Sequence, residues 1–362
     1  MLFTKKGMVI NMKIWEKNIR RVEPYVPGEQ PQEDNITKIN TNENPYPPAP
    51  GVKDLLNKDM AERLRLYPDP TISSLVKVLA EYQNLKENQV FVGVGSDDVL
   101  AMAYLTFFNS SKPILFPDIT YSFYDVWANL YQIPFKQVKL DDDFRIRKED
   151  YSRENGGIII ANPNAPTSIY EELDTIRYIL DHNQESIVII DEAYIDFAGK
   201  SSKELISEYE NLLVVQTFSK SRSMAGLRIG YAMGSEVLIR ALNDVKYSFN
   251  SYTLNLPSIT CGVESINDDE YFNKIRNKII STRQKTMIEL EKLDFSFCDS
   301  KTNFIFAKHK EVSGIKIYEK LRKRKIYVRH FNKPRISDYL RITIGTDEQM
   351  KILIEALKDI VS

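Results

Sequence analysis

From about residue 70 to residue 233, short apolar runs alternate with helical patterns. The runs are Val90-Phe91-Val92, Ile114-Leu115-Phe116, Ile158-Ile159-Ile160, Ile187-Val188-Ile189-Ile190, Leu212-Leu213-Val214-Val215 and the segment from Ile229 to Met233. They are continuous rather than alternating, which predicts strands covered on both faces. Between them lie amphipathic stretches. After Thr71, the residues Ile72, Leu75, Val76, Leu79 and Tyr82 share one helical stripe. Strands and helices in alternation predict an α/β region with a mostly parallel sheet.

Beyond residue 233 the pattern changes. Phe272, Ile275, Ile279, Met287 and Leu290 mark a long amphipathic helix bridging to a second region. Short strand candidates follow at Phe304-Ile305-Phe306, Ile326-Tyr327-Val328 and Leu340-Arg341-Ile342-Thr343-Ile344. Thr346 with Gln349 three residues on reads as a capping box, opening a last helix with Met350, Leu353, Leu357 and Ile360 on its stripe. Residues 40–50, rich in Pro and Asn, read as irregular. The expected division is an N-terminal segment (1–40) packed on the small domain, a large domain (41–262) and a small α+β domain (263–362).

Composition narrows the function classes. At 362 residues the chain is long enough for a large domain and a smaller one. A formal net charge of −1 gives no global attraction to nucleic acid or anionic membrane. No apolar stretch approaches the ~20 residues of a membrane span, and the start carries no secretory pattern. Met8 and Met12 are alternative starts to Met1. Two cysteines, Cys261 and Cys298, and three scattered histidines predict free thiols, a cytoplasmic location and no metal site.

The candidate chemistry sits just past the predicted strands. Lys220 follows the run ending at Val215, within Ser219-Lys220-Ser221-Arg222, and Asp191 closes the run ending at Ile190. Open α/β sheets bind ligands at the carboxyl ends of their strands. For an arbitrary lysine a solvated surface position is the default, and for an aspartate at a strand end, a turn or cap. Together, a lysine able to form an imine and an acid able to keep a pyridine nitrogen protonated point to pyridoxal 5'-phosphate chemistry. Tyr194, three residues after Asp191, is placed to donate to the ring phenolate oxygen. Arg228 and Ser219 offer phosphate donors. Gly95-Ser96-Asp97 opens a helix after a strand, where backbone N–H groups and the dipole bind phosphate; an ordinary N-cap is the plainer reading. Gly93-x-Gly95 does not continue as a dinucleotide fingerprint, because position 98 is Asp. Tyr121 is a candidate to stack on the ring, although core packing is the commoner role of a tyrosine.

In this order these residues resemble the fold-type I aminotransferases and, within them, the histidinol-phosphate aminotransferase branch. The resemblance runs from about Tyr25 to the C-terminus. It is carried by Pro24-Tyr25-Val26-Pro27-Gly28, Asn40-Thr41-Asn42-Glu43-Asn44-Pro45, Arg65-Leu66-Tyr67-Pro68-Asp69, Gly93-Val94-Gly95-Ser96-Asp97, Asp191-Glu192-Ala193-Tyr194, Thr217-Phe218-Ser219-Lys220 with Ala225-Gly226-Leu227-Arg228, and Leu340-Arg341-Ile342-Thr343-Ile344-Gly345. It implies a large domain with a mostly parallel seven-stranded sheet flanked by helices, a smaller α+β domain, and a homodimer with shared active sites. It implies that Lys220 is the imine lysine, that Asp191 and Tyr194 contact the ring, and that Gly95, Ser96, Asp97, Thr217, Ser219 and Arg228 surround the phosphate. By the same resemblance Tyr67 reaches the neighbouring subunit's cofactor, Arg341 binds the substrate carboxylate, Tyr25, Asn42 and Arg329 line the substrate pocket, and Phe249 stands where the family often has a tyrosine from the partner. The implied reaction moves an amino group between glutamate or 2-oxoglutarate and histidinol phosphate or imidazole-acetol phosphate.

The chain departs from the family in one place. Asn162-Pro163-Asn164-Ala165-Pro166-Thr167-Ser168 has Ala165 where an asparagine usually bonds the phenolate oxygen, and Ser168 where a glycine is usual. Asn164 is the candidate substitute. Three other readings use the same residues: an aromatic amino-acid aminotransferase, a decarboxylase of a phosphorylated amino acid, and a catalytically silent regulator. The complete set of Lys220, Asp191, Arg228 and Arg341 argues against the last.

Overall fold

The computed structural model describes residues 14–362, so the alternative starts at Met8 and Met12 lie outside the described residues. Seven strands build the central sheet: β1 Val90–Gly93, β2 Ile114–Pro117, β3 Phe135–Val138, β4 Ile158–Ala161, β5 Val188–Asp191, β6 Leu212–Thr217 and β7 Gly230–Gly234. Their spatial order is β1-β7-β6-β5-β4-β2-β3. Only β7 runs antiparallel to its neighbours; the other pairings are parallel.

Alternate residues of the central strands feed two cores. Ile158, Ile160, Val188, Ile190, Leu212 and Val214 face one cluster, capped by helices Ser73–Gln83, Leu173–Asp181 and Leu256–Asn267. Ile159, Ile189, Leu213 and Val215 face the other, beneath Ser96–Phe107, Tyr124–Tyr131 and Glu236–Phe249. Burying a side chain of this size contributes about 1.5–3 kcal/mol, so each strand is apolar throughout because both faces are covered. β3 differs: Lys136 and Gln137 are exposed, as an edge strand allows.

Four more strands form an antiparallel sheet: β8 Phe295–Phe297, β9 Phe304–His309, β10 Arg329–His330 and β11 Leu340–Thr343, in the order β10-β11-β9-β8. Helices Asp269–Glu291, Gly314–Lys323 and Asp347–Val361 complete their core, which also holds Ile39. Thr37–Lys38 pairs in parallel with Ile326–Tyr327, which ties the N-terminal segment to this sheet. Earlier in that segment, Tyr25 stacks on Phe123 at 4.1 Å. Residue 262 falls inside helix Leu256–Asn267, whose Ile266 still packs on the large sheet. The capping box forms as expected: Thr346 N–H donates to Gln349 Oε1 at 2.9 Å and Gln349 N–H to Thr346 Oγ1 at 3.2 Å. Cys261 and Cys298 are free thiols.

The parallel strands β2, β4, β5 and β6 and the edge strand β1 all end on the same side of the large sheet. There the second core meets the sheet, with Ala165 and Tyr194 packed into it. The cleft at this seam is where a ligand site is expected in an open α/β sheet.

Candidate active site

Asp191, the last residue of β5, forms the floor of a cavity of about 180 Å³. Its Oδ2 accepts from Tyr124 Oη at 2.9 Å and its Oδ1 from the Ala193 N–H at 3.2 Å. Burial pushes its pKa up to about 6, against the pull of the Tyr124 hydrogen bond. A buried carboxylate in this state gains from a cation placed beside it.

Lys220 lines the same cavity, with Nζ 5.8 Å from the Tyr194 ring centroid. Its loop is braced on several sides. Asn44 Nδ2 donates to the carbonyls of Lys220 and Ser221, both at 3.1 Å. Ser221 Oγ donates to Asp196. The Arg222 guanidinium lies 4.1 Å from the Phe272 ring centroid and donates to the Ser265 carbonyl at 2.5 Å.

Another part of the cavity lining is built for an anion. Gly95 caps helix Ser96–Phe107 without a side-chain acceptor, leaving first-turn N–H groups for a ligand. Gly95 has φ +85°, and a Cβ there would lie 2.7 Å from Arg228 Nη2. A Cβ on Gly230 would come within 2.2 Å of the Ser96 nitrogen, so both glycines let the backbone close around this part. Arg228 Nη2 reaches Asp97 Oδ2 at 3.2 Å. Thr217 Oγ1 accepts the Ser219 N–H at 3.2 Å and lies 3.0 Å from Ser219 Oγ, which orients that hydroxyl. Tyr121 forms a side wall, donating to Asp97 Oδ1 at 2.8 Å; burial raises its pKa well above the ordinary phenol value.

Tyr194 Oη accepts from Asn42 Nδ2 at 2.8 Å, which leaves its own proton for a partner in the cavity. Asn42 is itself fixed. It adopts φ 57°, its N–H donates to Thr343 Oγ1 at 3.0 Å, and its Oδ1 accepts from Thr343 Oγ1 at 3.1 Å.

A wider cavity of about 570 Å³ opens beside the first and shares Lys220, Tyr121 and Tyr194 with it. Tyr25, Asn42, Arg329 and Arg341 all line it. Arg329 and Arg341 are direct partners across β10 and β11, so both project from one face. Arg341 Nη2 donates to the Asn40 carbonyl at 3.0 Å, while its Nε–H is buried with no partner among the described residues. Burial lowers its pKa and the Arg329 charge adds to this, while the Tyr194 hydroxyl opposes it. A buried guanidinium with an unused donor is a site for an oxyanion.

Three expected residues lie elsewhere. Asn164 does not turn toward the cavity: its Nδ2 donates to the Ile119 carbonyl at 2.9 Å and to Thr167 Oγ1 at 3.0 Å, and its Oδ1 accepts from Thr120 at 2.8 Å. Its amide is fully used in holding the loop, which corrects the expectation that it substitutes for the asparagine absent at Ala165. Ala165 itself faces the cavity, and Ser168 takes φ 67°. Tyr67, tilted against Tyr252 with ring centroids 4.7 Å apart, and Phe249 are 82% and 74% exposed and do not line either cavity. Tyr124 and Asn44 were not anticipated. Neither carries a local signal, because their partners are 67 and 176 residues away.

Comparison with known proteins places this geometry. Residues 34–357 match the family described as aminotransferase class I and II. The chain is 50% identical to a histidinol-phosphate aminotransferase of Clostridium beijerinckii over 350 residues, 97% of this chain and 98% of that one. It is 50% identical to the same enzyme of Brachyspira hyodysenteriae over 343 residues, 94% of this chain and 97% of that one. The crystal structure of histidinol-phosphate aminotransferase from Sinorhizobium meliloti, in complex with pyridoxal-5'-phosphate, superposes with a TM-score of 0.83 at 21% identity, covering 90% of this chain and 91% of that one.

Proposed function

The chain belongs to the aminotransferase class I and II family, and from that premise we propose that it is a histidinol-phosphate transaminase of histidine biosynthesis. It moves an amino group between L-glutamate/2-oxoglutarate and histidinol phosphate/imidazole-acetol phosphate. The observation that carries this reading is identity of about half over nearly the full length of relatives with that activity.

The residues present fit pyridoxal 5'-phosphate. The buried Asp191 carboxylate suits a protonated ring nitrogen, the uncapped helix start with Ser219 and Arg228 suits the phosphate, and Lys220 lines the same cavity. When bound, the cofactor supplies an electron sink for charge developing at the substrate Cα. Asp191 holds the ring nitrogen in its cationic form, and the cation in turn keeps the carboxylate ionised. Tyr121, held by Asp97, would wall the ring, and Tyr194 would donate the proton that Asn42 leaves free. Lys220 would anchor the cofactor through its amine and, as a free amine, would serve as the base that takes the proton from the substrate Cα. Arg341 and Arg329 bind the anionic end of either substrate, carboxylate in one and phosphate in the other. Tyr25, stacked on Phe123, encloses the remaining side.

The enzyme acts as a cytoplasmic homodimer. No described helix is long and apolar enough to cross a membrane. Tyr67 and Phe249 lie outside their own subunit's site and on its surface, as residues contributed to a partner's site must. The chain divides into an N-terminal segment on the small domain, a large cofactor domain and a small domain, as its two cores support. A product assay tests the activity: with histidinol phosphate and 2-oxoglutarate the enzyme forms glutamate and releases no carbon dioxide. Carbon dioxide release without glutamate would mark a decarboxylase instead.

A further inference from the structure

Residues 331–339 connect Arg329 on β10 to Arg341 on β11, and Arg335, midway along, is docked into the opposite wall of the cleft. Its Nη1 pairs with Asp118 Oδ2 at 3.0 Å, with both side chains about one quarter exposed. Its Nη2 donates to the Leu140 carbonyl at 3.0 Å and to the Asp141 carbonyl. Its guanidinium also lies 5.5 Å from the Phe144 ring centroid. Asp118 is fixed in turn, because its Oδ1 accepts the Leu140 N–H at 2.9 Å. It directly follows β2, three residues before Tyr121.

The flanks of Arg335 join the same contact. Ile336 is buried in an apolar cluster with Ile119, Leu140 and Phe144 from the large region and Phe306 from β9. At the start of the connection, the Phe331 ring centroid is 5.6 Å from the guanidinium carbons of both Arg329 and Arg341. Asp118, Arg335, Phe331 and the arginine pair are therefore linked across the substrate cavity. One end carries the tyrosine beside the cofactor site and the other the candidate anion site.

We propose that Arg335 is a positioning residue that sets the distance from the arginine pair, Arg329 and Arg341, to the cofactor side of the cleft. It touches neither substrate nor cofactor. It acts through Phe331 and the strand ends, and so keeps the arginine pair within reach of the anionic end of a bound amino compound. This rests on the reading of Arg329 and Arg341 as the anion site. A guanidinium spreads its donors over a rigid planar fork to serve one carboxylate and two carbonyls, where a lysine offers a single compact ammonium.

The test uses the cofactor-loaded enzyme, whose phosphate cradle is filled, and compares wild type with Arg335→Ala and Arg335→Lys. For Arg335→Ala, KM for histidinol phosphate rises about tenfold with kcat within about twofold, since binding that is uniform along the reaction is what is lost. Calorimetric titration with inorganic phosphate shows a parallel loss of affinity. Arg335→Lys recovers part of both. Unchanged KM and phosphate affinity in Arg335→Ala, or a fall in kcat and melting temperature alone, would overturn the proposal. If Arg335→Ala does not fold, Arg335→Lys carries the test with the same readouts. The phosphate titration separates the two readings: weakened phosphate binding in a protein that does not turn over histidinol phosphate upholds the positioning role and removes the assigned substrate.

Discussion

The Tyr124 hydroxyl donates to Oδ2 of Asp191 at 2.9 Å, from a side chain with no exposed surface. This bond opposes the burial that raises the Asp191 pKa. It keeps the carboxylate both oriented and closer to its ionised state, the state that holds a cationic ring nitrogen.

Replacing Tyr124 with Phe removes that donor with little change of shape. Asp191 is expected to bind its proton more tightly, and pyridoxal 5'-phosphate to dissociate about tenfold more readily at neutral pH, the effect of one hydrogen bond of about 1.4 kcal/mol to a charged group. Equilibrium titration of the cofactor-free protein checks this. Unaltered affinity would leave Tyr124 a packing residue only.

Two buried carboxylates with large upward shifts make the cofactor-free protein less stable as pH rises. Asp191 is pushed up to about 6 and Glu192 to about 7, both by burial. An acid whose folded pKa is raised favours the fold while protonated and loses that contribution as pH rises. Stability should therefore fall between about pH 4.5 and 7. Bound cofactor reduces the Asp191 share by supplying a cation. Glu192→Gln should flatten the slope further, although it disturbs the hydrogen bonds from Ser201, Ser202 and Gln216. Denaturant unfolding across that range gives the slopes. A stability that rises from pH 4.5 to 7 in the cofactor-free protein would contradict the assignment.

Ala165 leaves Tyr194 as the donor available to the phenolate oxygen, because the Asn164 amide is committed to Ile119, Thr120 and Thr167. Ala165→Asn adds a donor, which stabilises the phenolate and lowers the pKa at which the Lys220–cofactor linkage titrates. The absorbance of the bound cofactor against pH reads this directly. The same midpoint in both proteins would show that position 165 does not tune the cofactor.

The strand pattern was legible where burial was complete. Six apolar runs correspond to β1, β2, β4, β5, β6 and β7, because each has both faces covered. β3 was not read, since Lys136 and Gln137 face solvent and break the run. Phe295–Phe297 and Arg329–His330 were also missed, being too short and mixed for periodicity to show. Within the site, Asp191, Lys220 and Arg228 are legible because Asp191 closes a strand, Lys220 follows one and Arg228 precedes one. Tyr124 and Asn44 are not, because only the fold brings them to Asp191 and Lys220. Asn164 failed for a related reason: a one-residue offset in a loop reverses the direction of a side chain, and spacing alone does not carry that direction.

Shared sites predict complementation between subunits. Tyr67→Ala and Lys220→Ala homodimers should each lose most activity. After random exchange of subunits, about a quarter of wild-type specific activity should return, because half of the dimers are hybrids with one intact site. No recovery despite exchange would place Tyr67 outside the partner's site.

The most direct measurement is a single half-reaction on the cofactor-loaded enzyme, followed by its visible absorbance. Histidinol phosphate should bleach the Lys220-bound form, with 2-oxoglutarate restoring it and one equivalent of glutamate appearing per site. Phenylalanine should act far more slowly, and Lys220→Ala should fold yet catalyse no turnover. Bleaching by phenylalanine but not by histidinol phosphate, or turnover near wild type in Lys220→Ala, would contradict the account.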